Sequence, residues 1–136
     1  MDVSTTARAA ASPTWRRLPL RRPGLAVLIV SGDPAVRAVA VPELEASGFS
    51  VTCAAHSGHA LLACLTSTRI DLAFIEVTLE DMAGAELASR LRRHLPELRV
   101  VFLAPAGTPA AAGIVVRPLT RENLVAELEV LTLTAS

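Results

Sequence analysis

The sequence predicts one α/β domain built from βαβ units on a parallel sheet. Five short aliphatic runs follow one another from Leu25 onward, and segments with helical spacing of apolar residues separate most of them. After the first run, Ser31-Gly32-Asp33-Pro34 supplies a strand-to-helix turn, with Asp33 as cap and Pro34 at the first helical position. A chain of 136 residues has room for one core. Its apolar fraction of 51% is mostly Ala, Val and Leu, with three Phe, one Trp and no Tyr, so the packing is aliphatic. Stacking platforms for nucleic acid are not expected from such a composition.

Leu25 to Val30 is a continuous apolar run, as a strand covered on both faces requires. The helix that follows ends at Gly48, and its interior Pro42 predicts a kink or break near Ala38 to Val41, because proline removes one main-chain bond. Phe49 to Ala54 reads as the second strand, Gly58 to Thr66 as a helix and Ile70 to Glu76 as the third strand. A helix from about Ala83 to Leu95 places Leu87, Leu91 and Leu95 on one stripe and Arg90, Arg92 and Arg93 on the solvated face, with Pro96 as its stop. Leu98 to Leu103 is the fourth strand and Gly113 to Val116 the fifth. Only Pro105 to Ala112 link them, enough to cross back in extended form but too few to build a full helix as well; one capped turn from Thr108 to Gly113 fits. Thr120 then caps a last helix to about Leu131, with Leu124, Leu128 and Leu131 at buried spacing.

Charge is balanced in number and segregated in place. All 13 basic residues are Arg, and five of them (Arg8, Arg16, Arg17, Arg21, Arg22) precede residue 25 against one acid, Asp2. Residues 1–24 therefore read as a disordered basic leader and 25–136 as the folded domain, mildly acidic with eight Arg against twelve acids. An organellar transit peptide is the alternative reading of the leader; docking of Trp15 with Leu18 or Leu20 on the core would move the boundary. No apolar run reaches membrane-spanning length and no secretory core is present, so a cytoplasmic location is expected. Cys53 and Cys64 lack CxxC or zinc-finger spacing and are expected to be buried small hydrophobes. His56, His59 and Glu45 form a weak candidate metal set, and no metal or cofactor is expected. Arg90, Arg92 and Arg93 lack the glycine loop that would support a phosphate site.

LAVLIVSGDPAVR, DLAFIEVTLEDMAG, VVFLA and VVRPLTRENL resemble the corresponding segments of the receiver domain of two-component response regulators, over roughly residues 25 to 132. Asp71, Gly84 and Pro118 fall where that family's pattern has them. The resemblance implies a doubly wound flavodoxin-like fold, strand order 2-1-3-4-5, here with the fourth helix shortened or missing. It also implies phosphoryl transfer to an Asp at the end of the third strand, with Mg²⁺ held by acids after the first.

The chain departs from that pattern throughout the implied site. Glu76 stands at the phosphoacceptor position, and Ser31 and Gly32 replace the acidic pair, leaving Asp33 one position on. Ala104 replaces the hydroxyl residue after the fourth strand, Ile114 the aromatic switch residue, and Arg117 the lysine before the proline. Glu76 is expected to pair with Arg117, either as a plain ion pair or in imitation of a phosphorylated Asp. These losses predict a degenerate pseudo-receiver that is not an enzyme and acts in signal transduction by phosphorylation-independent protein-protein interaction. The alternatives are a small-molecule or nucleotide sensor on the same fold, and a receiver still phosphorylated in a phosphorelay. Loss of the fourth helix is expected to expose Val101, Leu103, Ile114, Val115 and Val116 in alternation, forming the surface for a protein partner or for self-association. No membrane or nucleic-acid partner is expected.

Overall fold

A computed structural model describes residues 25–66, 69–109, 111 and 113–135, with the side chains of the last helix described as far as residue 129. The expected leader, residues 1–24 with Trp15, Leu18 and Leu20, lies outside the described residues. Five strands, β1 (Ala26–Val30), β2 (Ser50–Ala54), β3 (Leu72–Glu76), β4 (Arg99–Ala104) and β5 (Ile114–Val116), form one parallel sheet in the order β2-β1-β3-β4-β5. Four helices accompany them: α1 (Pro34–Ala46), α2 (Ser57–Thr66), α3 (Gly84–His94) and α4 (Arg121–Ala135). This is the flavodoxin-like α/β arrangement.

Alternation along the central strands divides the core in two. Val27, Ile29, Phe74, Val101, Leu103 and Val115 pack against Val36, Ala40 and Leu44 of α1 and Leu124 and Leu128 of α4. Leu28, Val30, Ala73 and Ile75 point to the other side, against Ala60 and Cys64 of α2 and Leu87, Ala88 and Leu91 of α3. Burial on both faces explains why the inner strands read as unbroken aliphatic runs.

The ends of α1 follow from local chemistry. The Asp33 carboxylate accepts the Ala35 N–H at 2.9 Å, and Gly48, at φ 97°, reverses the chain at the other end. There the Gly48 N–H donates to the Glu45 carbonyl at 3.0 Å and the Phe49 N–H to the Leu44 carbonyl at 3.0 Å. Phe49 and Leu44 meet in the core, so Phe49 closes the helix and β2 begins one residue later than expected.

Three expectations require correction. Helix α1 runs through Pro42 without a break, because Pro42 and Ala38 lie on its exposed face and water can serve the carbonyl that proline leaves free. Cys53 is exposed, since β2 is an edge strand with little covering its outer face; only Cys64 is buried. Val101, Leu103 and Val115, expected at a partner surface, are buried under α1 and α4. The alternate residues of β4 and β5, Val100, Phe102, Ile114 and Val116, face the side of α2 and α3 and are half-buried. The described residues of the β4–β5 link form turns and no helix, with the Thr108 hydroxyl donating to the Pro105 carbonyl at 2.7 Å. The open surface there is thus narrower than expected: it keeps Ile114 and Val116 and has Val100 and Phe102 in place of Val101, Leu103 and Val115.

The loop after β3 folds back on itself. Thr78 and Ala83 form an antiparallel bridge, the Leu79 N–H donates to the Met82 carbonyl at 3.0 Å, and the Gly84 N–H donates to the Val77 carbonyl at 2.7 Å. A Cβ on Gly84 would lie 2.1 Å from the Glu76 carbonyl oxygen, so α3 can start here only with glycine. Gly84→Ala is expected to lower stability by about 3 kcal/mol, read as the midpoint of urea unfolding, through a backbone clash that no rotamer relieves. Gly58→Ala, whose added carbon meets only the His56 ring at 3.4 Å, should instead raise it by about 0.5 to 1 kcal/mol.

Candidate functional site

Parallel pairing brings the carboxyl ends of all five strands to one edge, and the residues just beyond them meet there. Ser31 follows β1 and is fully buried. Its N–H donates to the Ala54 carbonyl at 2.9 Å, its hydroxyl accepts the Asp33 N–H at 3.0 Å, and the same hydroxyl donates to Oε2 of Glu76. Arg117 follows β5 and is anchored by its N–H on the Ala104 carbonyl at 2.8 Å; the Arg117-Pro118 peptide bond is cis.

From that anchor the guanidinium spans the edge. One terminal nitrogen lies 2.6 Å from Oδ2 of Asp33 and the other 2.5 Å from Oε2 of Glu76. Side-chain exposure is 15% for Glu76 and 28% for Arg117, so the pair is only partly open to solvent. A rigid planar cation matches two separated carboxylates in a way a compact ammonium cannot. The hydrogen bond from Arg117, aided by the Ala35 N–H, holds the Asp33 carboxyl below the usual carboxylate range. Hydrogen bonds to Asp33 and then Glu76 push the Arg117 guanidinium above its ordinary value.

Of the residues singled out from sequence, Ser31, Asp33, Glu76 and Arg117 come together in this network. Gly32 is exposed, and a Cβ there would meet only the Ala55 carbonyl oxygen at 3.5 Å, an ordinary contact, so space alone would admit a side chain. Ala104 is buried and brings no hydroxyl. Ile114 lies in register with Phe102, half-buried at the start of β5. His56 and His59 stack with ring centroids 5.4 Å apart, Glu45 lies exposed on α1, and among the described residues no three His, Cys, Asp or Glu side chains gather as a metal cluster. Arg90, Arg92 and Arg93 are exposed on α3.

Sequence reasoning missed the link between Ser57 and Asp81. The buried Ser57 hydroxyl donates to Oδ2 of Asp81, and its N–H approaches Oδ1 at 3.4 Å, tying the loop after β3 to the start of α2. This bond holds the Asp81 carboxyl below the usual range. A serine at the first position of a helix was the available signal, but nothing local could name an acceptor 24 residues away.

The sign of the pH dependence follows from Asp33. A carboxyl whose folded pKa is depressed contributes stability fully above its unfolded value, near 3.8, and loses it as pH falls through the lower folded value. Carbon-detected NMR titration is expected to show Asp33 titrating below 3.8 in the native chain and returning toward that value in Arg117→Gln.

Residues 27–129 match the response regulator receiver domain family. The protein-glutamate methylesterase/protein-glutamine glutaminase 2 of Caulobacter vibrioides is 30% identical over 93 residues, 68% of this chain and 26% of that protein, so the chain spans about a quarter of that relative's length. Among solved structures, the CheY-like receiver domain protein of Methanospirillum hungatei has a TM-score of 0.68 at 20% identity, covering 82% of this chain and 95% of its own. The chemotaxis response regulator CheY4 of Vibrio cholerae reaches 0.69 at 23%, covering 79% and 98%. A Burkholderia pseudomallei regulator described with a phosphorylated aspartic acid, calcium ion and citrate reaches 0.65 at 17%, covering 82% and 70%. No helix among the described residues is long and apolar enough to cross a membrane. By the match over residues 27–129, the chain belongs to the response regulator receiver domain family of two-component signal transduction.

Proposed function

We propose that this receiver domain signals without being phosphorylated, as a pseudo-receiver whose output is protein contact. The observation that carries this reading is the Arg117 fork, which engages Glu76 and Asp33 together, so that each carboxylate of the site is already ion-paired within the chain. Phosphoryl transfer needs a carboxylate oxygen free to attack and a divalent cation to neutralise the moving charge. Here Oε2 of Glu76 already accepts from both Ser31 and Arg117.

The donor set does not fit Mg²⁺. That ion requires near-octahedral oxygen ligands and retains several waters. Asp33 and Glu76 both face a guanidinium, the Ser31 hydroxyl proton is committed to Glu76, and Gly32 and Ala104 offer no side-chain oxygen. A cation entering between the carboxylates would have to displace Arg117 against like charge. The phosphorylated aspartate and calcium named for the Burkholderia protein belong to that protein; in this chain both carboxylates pair with Arg117.

Incubation with millimolar Mg²⁺ and acetyl phosphate is expected to leave the intact mass unchanged, and Mg²⁺ alone to leave the melting temperature unchanged. A gain of one phosphoryl group that disappears in Glu76→Ala would refute the proposal.

A further inference from the structure

The largest exposed apolar side chains among the described residues lie on α2, away from the sheet edge that carries Arg117. This helix, SGHALLACLT, contains no Asp, Glu, Lys or Arg. It buries Ser57, Ala60 and Cys64, while Leu62 is 56% and Leu65 66% exposed. Leu61 lines the space toward α3, and exposed Leu65 follows it one turn later on the same helix. Helix α3 supplies the facing wall, and between them lies a groove of about 300 Å³ with Leu61 on one side and Glu86, Ser89, Arg90, Arg93 and His94 on the other.

The charge of that wall is not balanced internally. Arg90 is bound by Glu86 at 2.7 Å, four residues back, whereas no carboxylate among the described residues lies within ion-pair distance of Arg93. An apolar ridge beside a net basic ridge, with a trough between, is complementary to a rod carrying leucine-like side chains on one stripe and acids alongside. We infer that the α2–α3 groove binds an acidic amphipathic helix of a partner protein. The inference stands whether or not Arg117 closes the other site, because none of these residues belongs to it.

Other occupants fit less well. Residues 1–24 carry five Arg against Asp2 and would meet Arg90 and Arg93 with like charge. A second copy of the same face offers only Glu86, already engaged by Arg90. A flat anionic bilayer matches a concave trough poorly.

The test uses the whole chain, without Mg²⁺ or phosphodonor, and a fluorescent synthetic helix with leucine at i, i+3, i+4 and i+7 and glutamate on both flanks. A matched peptide has lysine on the flanks. Fluorescence anisotropy should show saturable binding of the glutamate peptide about tenfold tighter than the lysine peptide at low salt, the gap narrowing as salt rises. Leu65→Gln should weaken the glutamate peptide about fivefold or more, and Arg93→Glu should invert the preference between peptides; both positions are exposed, and unchanged melting curves would confirm intact folding. Equal binding of the two peptides, or of neither, overturns the inference. So does binding to anionic vesicles alone, or a dimer in sedimentation that Leu65→Gln dissolves.

Discussion

Two carboxylates meet at the carboxyl edge of this sheet because the fold leaves them no choice, and one guanidinium makes that arrangement stable. Asp33 must cap α1, and Glu76 ends β3 beside it. Arg117 reaches both from β5, two places from β3 and three from β1 in the order of the sheet, and so ties together the ends of β1, β3 and β5. Its backbone hydrogen bond to Ala104 fixes the base of the side chain, and its planarity fixes the direction of the two donors. Buried Ser31 completes the network, since its single hydroxyl both accepts from Asp33 and donates to Glu76.

The two sheet faces are covered unequally. Helices α1 and α4 bury one face across from β1 to β5, which is why Val101, Leu103 and Val115 are wholly interior. On the other face α2 and α3 cover β1 and β3, and β4 and β5 keep half-buried Val100, Phe102, Ile114 and Val116. A full crossover helix between β4 and β5 would have shielded them. The short strand β5 limits the apolar area that its absence leaves open.

Much of the fold was legible in the sequence because its determinants are local. Aliphatic runs marked the inner strands, Asp33-Pro34 and Gly48 marked the ends of α1, and Leu87 and Leu91 marked the buried stripe of α3. What escaped depended on tertiary position. Whether Pro42 breaks a helix depends on which face its orphaned carbonyl meets. Cys53 is exposed because β2 is an edge strand, and its run of residues carries no sign of that. The alternation in β4 and β5 was legible, but its phase was not, since either set of valines satisfies the same pattern. In the site, pairing of Glu76 with Arg117 followed from opposite charge at neighbouring strand ends. The double use of the Ser31 hydroxyl and the bond from Ser57 to Asp81 did not, because both join residues remote in sequence through single protons.

The loop of residues 77–83 connects the charged edge to the helical groove. It leaves β3 directly after Glu76, closes through the Thr78 and Ala83 bridge, and delivers Gly84 onto the Glu76 carbonyl, so the first residue of α3 is located by the backbone of the site itself. Asp81, in the same loop, grips Ser57 at the start of α2. Both walls of the groove are thus positioned from one short segment, one by close backbone packing and the other by a charge-assisted hydrogen bond. A ligand can shift a conformational equilibrium only by its differential affinity for the two states. Under the proposed reading, in which Arg117 already holds both carboxylates of the site, that differential comes from surfaces held by this loop rather than from the carboxylates it follows.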